Sequence, residues 1–298
     1  MDTNQKTSLP LIPKSGGLAF SAVIIIYMLF SVIIQTILLV FSVTGGMLYT
    51  VLNALSAPLA IITVLIFSRA YSHRKVSYSL SVTGCNPLYF LIAVMASIGM
   101  FFGFGFVNGL ISDALSKLGI VQSAVALDFS GVGSVILFTL SLGVIPAVTE
   151  EFLFRGLMFK SLSGVKLWQG VLFVSLCFAL FHCSVVQFVY QMIYGAVLCL
   201  LTYCAKSVLP AILAHFINNF AVILLTYLGV NIDFYNALII IGGLVVLAVT
   251  VAWLITLIKK DKTENQDKDD AWEFWWPVGV FGVAICLTFI ISNLVLGA

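Results

Sequence analysis

The chain has 298 residues, of which 61% are hydrophobic and only 9% are charged, whereas about a quarter of the residues in soluble proteins are charged. So few charged side chains cannot cover the surface of a soluble fold of this length, which excludes the soluble globular class. The net charge of +2 gives no indication of nucleic-acid binding, and we expect no nucleic-acid partner.

Apolar segments of about 20 residues, the length that a helix needs to cross hydrocarbon, follow one another along the chain. We predict an all-α integral membrane protein, a polytopic bundle of about nine transmembrane helices in the lipid bilayer. The fifth segment is short and no polar loop separates it from the sixth, which predicts a tight helical hairpin. The predicted spans are Gly17–Val43, Met47–Ala70, Pro87–Ile111, Val132–Leu162, Leu167–Cys183, Val185–Cys204, Val208–Leu228, Ala237–Ile258 and Trp276–Leu296.

The basic residues predict the orientation, because cytoplasmic loops carry an excess of Lys and Arg. With nine spans, all basic residues outside the spans or at their edges, except Lys117, fall on one side of the membrane. We therefore predict a multi-pass protein of the cell membrane with a cytoplasmic N-terminus and an external C-terminus. The residues on the cytoplasmic side are Lys6, Lys14, Arg69, Arg74, Lys75, Lys160, Lys166, Lys206, Lys259, Lys260, Lys262 and Lys268.

The spans group into four regions. A cytoplasmic tail (1–16) precedes three N-terminal spans (17–130), and a central core of four spans (131–228) is followed by a C-terminal region (229–298). The C-terminal region holds spans eight and nine and a charged cytoplasmic loop (259–273).

Five ionisable side chains lie within the apolar spans: Glu150, Glu151, Arg155, His182 and His215. A carboxylate or guanidinium at the centre of a transmembrane helix costs about 2.5–3.5 kcal/mol on insertion scales. Such residues indicate a functional site when they can find partners, and all five lie in spans four, five and seven of the predicted core.

The spacing within span four suggests how its charges are arranged. Glu151 and Arg155 are four residues apart, so they lie on one helical face and can neutralise each other. Glu150 is rotated by about 100° from that face and is left to face another helix. Pro146, one turn before the glutamates, removes a backbone hydrogen bond and predicts a kink of the helix near them.

Two further pairs lie on other spans at the same helical spacing. His215 and Asn219 share a face of span seven, with Asn218 as an alternative partner, and Phe178 lies one turn before His182 in span five. Residues three or four apart on a helix are neighbours on its surface. Each pair can therefore present its side chains together to the carboxylates of span four.

This set of residues suits hydrolysis. A buried glutamate can act as a general base toward water, and a histidine can hold the same water or protonate the leaving amine. A second histidine with an asparagine amide supplies donors for a tetrahedral oxyanion. The same residues could instead bind zinc through two histidines and a carboxylate, and the spacing alone does not choose between the two chemistries.

Three motifs in order carry a family resemblance: EExxxR over Glu150–Arg155, FxxxH over Phe178–His182 and HxxxN over His215–Asn219. They resemble those of the CPBP family of intramembrane endopeptidases. That family includes the type II CAAX prenyl proteases and bacterial proteins associated with bacteriocin immunity. The resemblance covers about Gly131–Leu225 and implies a buried hydrolytic site between spans four, five and seven.

The resemblance also implies roles for the individual side chains. Glu150 would activate a water that His182 shares, and His215 with Asn219 would stabilise the oxyanion, while Glu151 and Arg155 would organise the site. The expected substrates are short peptides or membrane-anchored protein tails.

The family has been described both as glutamate-dependent and as metal-dependent, so the resemblance leaves the cofactor open. We expect no required cofactor. The alternative is a zinc ion held by Glu150, His182 and His215. Two other functions remain open: a non-catalytic immunity or scaffold protein that binds a partner, and a proton-coupled transporter.

Overall fold

The computed structural model describes residues 12–72, 81–120, 127–260, 272–275 and 278–296. Within these ranges the chain forms helices joined by turns, with no β-strand, which confirms the predicted all-α class. Several residues used to predict the orientation lie outside the described ranges, as do Trp276 and most of the charged loop 259–273. The residues used for the orientation that lie outside the described ranges are Lys6, Arg74, Lys75, Lys262 and Lys268.

Each predicted apolar span corresponds to a helix. Seven helices of the described ranges are long and apolar enough to cross a membrane, namely α1–α4 and α6–α8, whereas α5 and the apolar part of α10 are shorter. The helices are α1 (Pro13–Val40), α2 (Gly46–Ser72), α3 (Leu88–Lys117), α4 (Val132–Ser161), α5 (Leu167–Phe181), α6 (Val185–Ala205), α7 (Leu209–Tyr227), α8 (Ala237–Lys260), α9 (Trp272–Trp275) and α10 (Val278–Leu296).

Helix α4 is not a regular α-helix. It is π-helical over Thr139–Val144 and again over Phe152–Phe159, with an α-helical segment over Ile145–Glu151 between them. Pro146 lies at the start of this middle segment, directly after the first π-helical stretch, and the kink that it predicts stays a prediction. Because π-helical stretches frequently mark functional sites, the end of the middle segment at Glu150 and Glu151 is a candidate location.

Helices α5 and α6 form the predicted hairpin. Only residues 182–184 separate them. His182 directly follows α5, and Cys183 has a positive φ of 48°. The hydroxyl of Ser184 accepts a hydrogen bond from the backbone N–H of Gln187 and caps α6. His182 is therefore held in a tight turn rather than in the middle of a helix.

The buried apolar side chains form two clusters, and the ionisable residues lie between them. The first joins α1, α2, α4, α5, α9 and α10 and also includes Cys199 of α6, and the second joins α3, α6, α7 and α8. His215 on α7 has the ring of Phe178 from the first cluster at 5.8 Å and the ring of Tyr194 from the second at 6.5 Å. The site therefore lies where α4 and α5 meet α6 and α7.

Glycines bring α3 and α8 into close backbone contact. A Cβ atom added at Gly243 would overlap the backbone of Gly103, whereas one added at the neighbouring Gly242 would meet no atom within 4 Å. Small residues at helix contacts allow such close packing in membranes. The second apolar cluster depends on this approach, because it includes Met100 of α3 and Leu247 of α8.

We expect Gly243→Ala to lower the free energy of unfolding by about 1–3 kcal/mol, the usual range for overpacking. The matched control is Gly242→Ala, which should leave stability unchanged or raise it slightly, because alanine favours helix over glycine. Thermal unfolding in detergent measures both variants. Equal midpoints for the two would contradict the close α3–α8 contact.

Candidate active site

The predicted pair of Glu151 and Arg155 is present and fully buried. Arg155 Nη1 donates to Glu151 Oε1 at 2.9 Å, and both side chains are at most 1% exposed. Arg155 Nη2 donates to the backbone carbonyl of Gly195 on α6 at 2.9 Å, and the guanidinium carbon lies 4.5 Å from the centre of the Phe178 ring. Arg155 thus connects α4 to both helices of the hairpin.

The carboxylate of Glu151 also orients His215 on α7. His215 Nδ1 lies 2.9 Å from Glu151 Oε1, the same oxygen that accepts from Arg155. An ionised carboxylate can only accept hydrogen bonds, so we assign the Nδ1 proton to His215. Nε2 is then an acceptor when the ring is neutral and a donor when the ring is protonated.

Glu150 is left without a partner of its own, as the helical spacing predicts. Its side chain faces α7, where Oε2 lies 4.0 Å from His215 Nε2. Glu150 is 7% exposed, and no described residue donates a hydrogen bond to the buried Oε2. This distance of 4.0 Å between Oε2 and His215 Nε2 is too long for a direct hydrogen bond.

His182 contacts the rest of the site through Phe178, which lies one turn before it on α5. Its Nδ1 bonds the backbone carbonyl of Phe178 at 2.8 Å, and the two rings meet edge to face at 4.8 Å. A carbonyl only accepts hydrogen bonds, so Nδ1 carries the proton here as well. Since Phe178 contacts Arg155, His182 and His215, all three sequence motifs meet around this ring.

Asn219 faces α4 from the turn of α7 that follows His215. Its Nδ2 donates to the backbone carbonyl of Leu142, in the first π-helical stretch, at 3.2 Å. An asparagine amide has two N–H donors, so the second remains for a substrate group. The structure therefore joins Asn219 to the helix that carries both glutamates.

The arrangement includes groups that the sequence did not reveal. Gly195 contributes a backbone carbonyl, and a Cβ atom added there would lie 3.1 Å from the Cα of Ser175 on α5. A backbone acceptor leaves no sequence signal beyond the glycine that permits the close approach. Tyr190, whose hydroxyl donates to Asn218, was also missed, because an aromatic residue in an apolar span is typical of packing.

The alternative of a zinc ion can be compared with the geometry. The two histidines have the chemistry for it, since each has Nδ1 engaged and Nε2 available. A zinc site, however, requires its ligands to converge on one point at about 2.0–2.3 Å. Across the described ranges, no three His, Cys, Asp or Glu side chains are placed to hold a metal ion. We therefore derive no step through a metal.

Comparison with known families supports the resemblance found in the motifs. Residues 132–221 match the family described as Rce1-like, type II CAAX prenyl endopeptidase. The match covers less than a third of the chain, and this central part is similar to the CPBP/CAAX protease family. The match includes every residue of the site from Glu150 to Asn219. No curated protein and no solved structure matches the chain. The match supports a CAAX-protease-like intramembrane endopeptidase at the level of the family.

Proposed function

We propose that this protein hydrolyses peptide bonds within the membrane by using Glu150 as the general base toward water. The observation that carries the proposal is the position of Glu150 Oε2, buried, without a protein donor and 4.0 Å from His215 Nε2. Glu151, the neighbouring carboxylate, is already engaged with Arg155 and His215. Glu150 is thus the carboxylate left to take a proton from water.

The proposed reaction assigns each remaining group a step. Water attacks the peptide carbonyl carbon while its proton passes to Glu150, and the same proton then reaches the leaving amine. The oxyanion is stabilised by the second N–H of Asn219 and by Nε2–H of protonated His215. Glu151 holds His215 in place through its Nδ1, and His182 shares the attacking water.

The proposed substrates are short peptides or membrane-associated protein tails. Glu150 is ten residues before Lys160, which places it about 15 Å from the end of α4 that we assign to the cytoplasm. We therefore propose that the site opens to the cytoplasm, where a soluble tail of a membrane-anchored substrate can enter.

The test of the proposed function is cleavage of a quenched-fluorescent peptide library by purified protein in detergent. We expect cleavage by the wild type, none by Glu150→Gln, and no change on adding a chelator. Loss of cleavage with the chelator, restored by zinc, would replace the metal-free mechanism by a metal-dependent one. A folded wild type that cleaves nothing would favour the non-catalytic immunity or scaffold function, and proton-coupled transport without cleavage would favour a transporter.

The proposed orientation in the cell membrane can be tested at two exposed glycines with open space around them. Gly45 lies on the side assigned to the outside and Gly164 on the cytoplasmic side, and a Cβ atom added at either meets no atom within 4 Å. In a variant with its native cysteines replaced, we expect an impermeant maleimide on intact cells to label Gly45→Cys and not Gly164→Cys. The reverse pattern would overturn the orientation.

A further inference from the structure

A chain of three hydrogen bonds crosses from α6 through α7 to α4 beside the site. The hydroxyl of Tyr190 donates to Asn218 Oδ1 at 2.6 Å, and Asn218 Nδ2 donates to Asn219 Oδ1 at 3.4 Å. Asn219 Nδ2 in turn donates to the Leu142 carbonyl at 3.2 Å. We call these four residues the amide relay. In each bond the group nearer α6 donates and the oxygen nearer α4 accepts, so all three hydrogen bonds run in the same direction.

Pro146 explains why the relay has an acceptor at its end. In a regular α-helix the carbonyl of Leu142 would accept from the N–H of residue 146, and proline has no N–H. Asn219 donates to this carbonyl instead. Pro146 therefore leaves a backbone carbonyl, eight residues before Glu150, to which a side chain of α7 bonds.

The Leu142 carbonyl only accepts hydrogen bonds, so the nitrogen end of the Asn219 amide faces α4, and the bond from Asn218 holds the oxygen end. The oxygen and nitrogen of an asparagine amide are nearly the same in shape, so their partners decide the orientation. Asn218 donates to the oxygen of Asn219, and Asn218 is itself held in that orientation by Tyr190. Tyr190 and Asn218 are both buried, at 5% and 8% exposed, so solvent competes little with these bonds.

We propose that Tyr190 and Asn218 are positioning residues, which keep the Asn219 Nδ2 group toward α4 and its second N–H available to the oxyanion. This inference rests on the proposed function, in which Asn219 is an oxyanion donor. Without the bond from Asn218 the Asn219 amide is held at its nitrogen end alone, so its second N–H is less firmly placed for the oxyanion. Neither Tyr190 nor Asn218 touches the reacting atoms, and their effect on catalysis passes through Asn219.

The first experiment removes only the hydroxyl of Tyr190. We expect Tyr190→Phe to lower kcat by about 3- to 10-fold, the range for one neutral hydrogen bond, with KM unchanged and the thermal midpoint lowered by the loss of one buried hydrogen bond. The matched control is Tyr203→Phe, which removes a hydroxyl from the same helix next to Lys206 at its end and should leave kcat unchanged. An unchanged kcat in Tyr190→Phe would overturn the inference.

Asn218→Leu then tests whether Tyr190 acts through Asn218. The double variant with Tyr190→Phe should have the same kcat as Asn218→Leu alone, because the relay is already broken. If the two fold-losses in kcat multiply in the double variant, the residues act independently, and the inference that Tyr190 acts through Asn218 is wrong. A purely structural role would lower the thermal midpoint without this pattern in kcat.

A second measurement does not depend on activity. In protein labelled with 15N-asparagine, the side-chain amide signal of Asn219 is assigned by its loss in Asn219→Ala. We expect this signal to shift in Tyr190→Phe and not in Tyr203→Phe, and an unmoved signal would overturn the relay. If the wild type cleaves no peptide, the proposed function fails, while the amide signal still decides whether the relay exists.

Discussion

Replacing Glu150 with glutamine is expected to lower kcat by about 10²- to 10⁴-fold, the usual contribution of a general base. Glutamine has the same shape and keeps an acceptor oxygen, but it cannot take a proton from water at neutral pH. The buried Oε2 has no described protein donor, so the substitution breaks no hydrogen bond of that oxygen. We therefore expect the thermal midpoint to stay the same or rise, because a buried unpaired charge is costly.

The matched control for Glu150→Gln is Glu273→Gln. Glu273 is exposed on the short helix α9, and the same chemical change there should alter neither kcat nor the thermal midpoint. The combination of lost turnover and retained stability separates a catalytic carboxylate from a structural one. Glu150→Gln with wild-type turnover would exclude Glu150 as the base, and a large fall in its midpoint would point to a structural role.

The second large effect is expected from the buried ion pair of Glu151 and Arg155. Removing one partner of such a pair typically costs about 3–5 kcal/mol, because the other charge is left uncompensated. We expect losses of this size in both Glu151→Leu and Arg155→Met. In the double variant no charge of the pair remains. Its loss of unfolding free energy should therefore be smaller than the sum of the two single losses.

Activity should not recover in that double variant. The carboxylate of Glu151 holds His215 Nδ1 at 2.9 Å as well as Arg155, and leucine offers no acceptor. We expect kcat of the double variant to stay at the level of Glu151→Leu while its thermal midpoint rises above that of either single variant. Additive losses in stability, or turnover restored together with stability, would contradict the shared role of this carboxylate.

Features that depend on neighbouring residues of one helix could be predicted from the sequence. The membrane class, the apolar spans, the α5–α6 hairpin and the Glu151–Arg155 pair all follow from segment length and from 3.6 residues per turn. The motifs EExxxR, FxxxH and HxxxN were recognised by their resemblance to a family, and in each of them two residues four positions apart share a helical face. The same geometry predicted that Glu150 would be rotated away from the pair.

Contacts between helices were decided by the tertiary structure. The sequence did not indicate that Glu151 would orient His215, that Gly195 would accept from Arg155, or that Asn219 would reach the Leu142 carbonyl. These contacts join residues 64, 40 and 77 positions apart. They depend on the rotation and translation of each helix, which the close packing of small and large side chains over the whole bundle determines. The sequence by itself therefore determined which residues share a helical face, and only the packed bundle decided which faces meet.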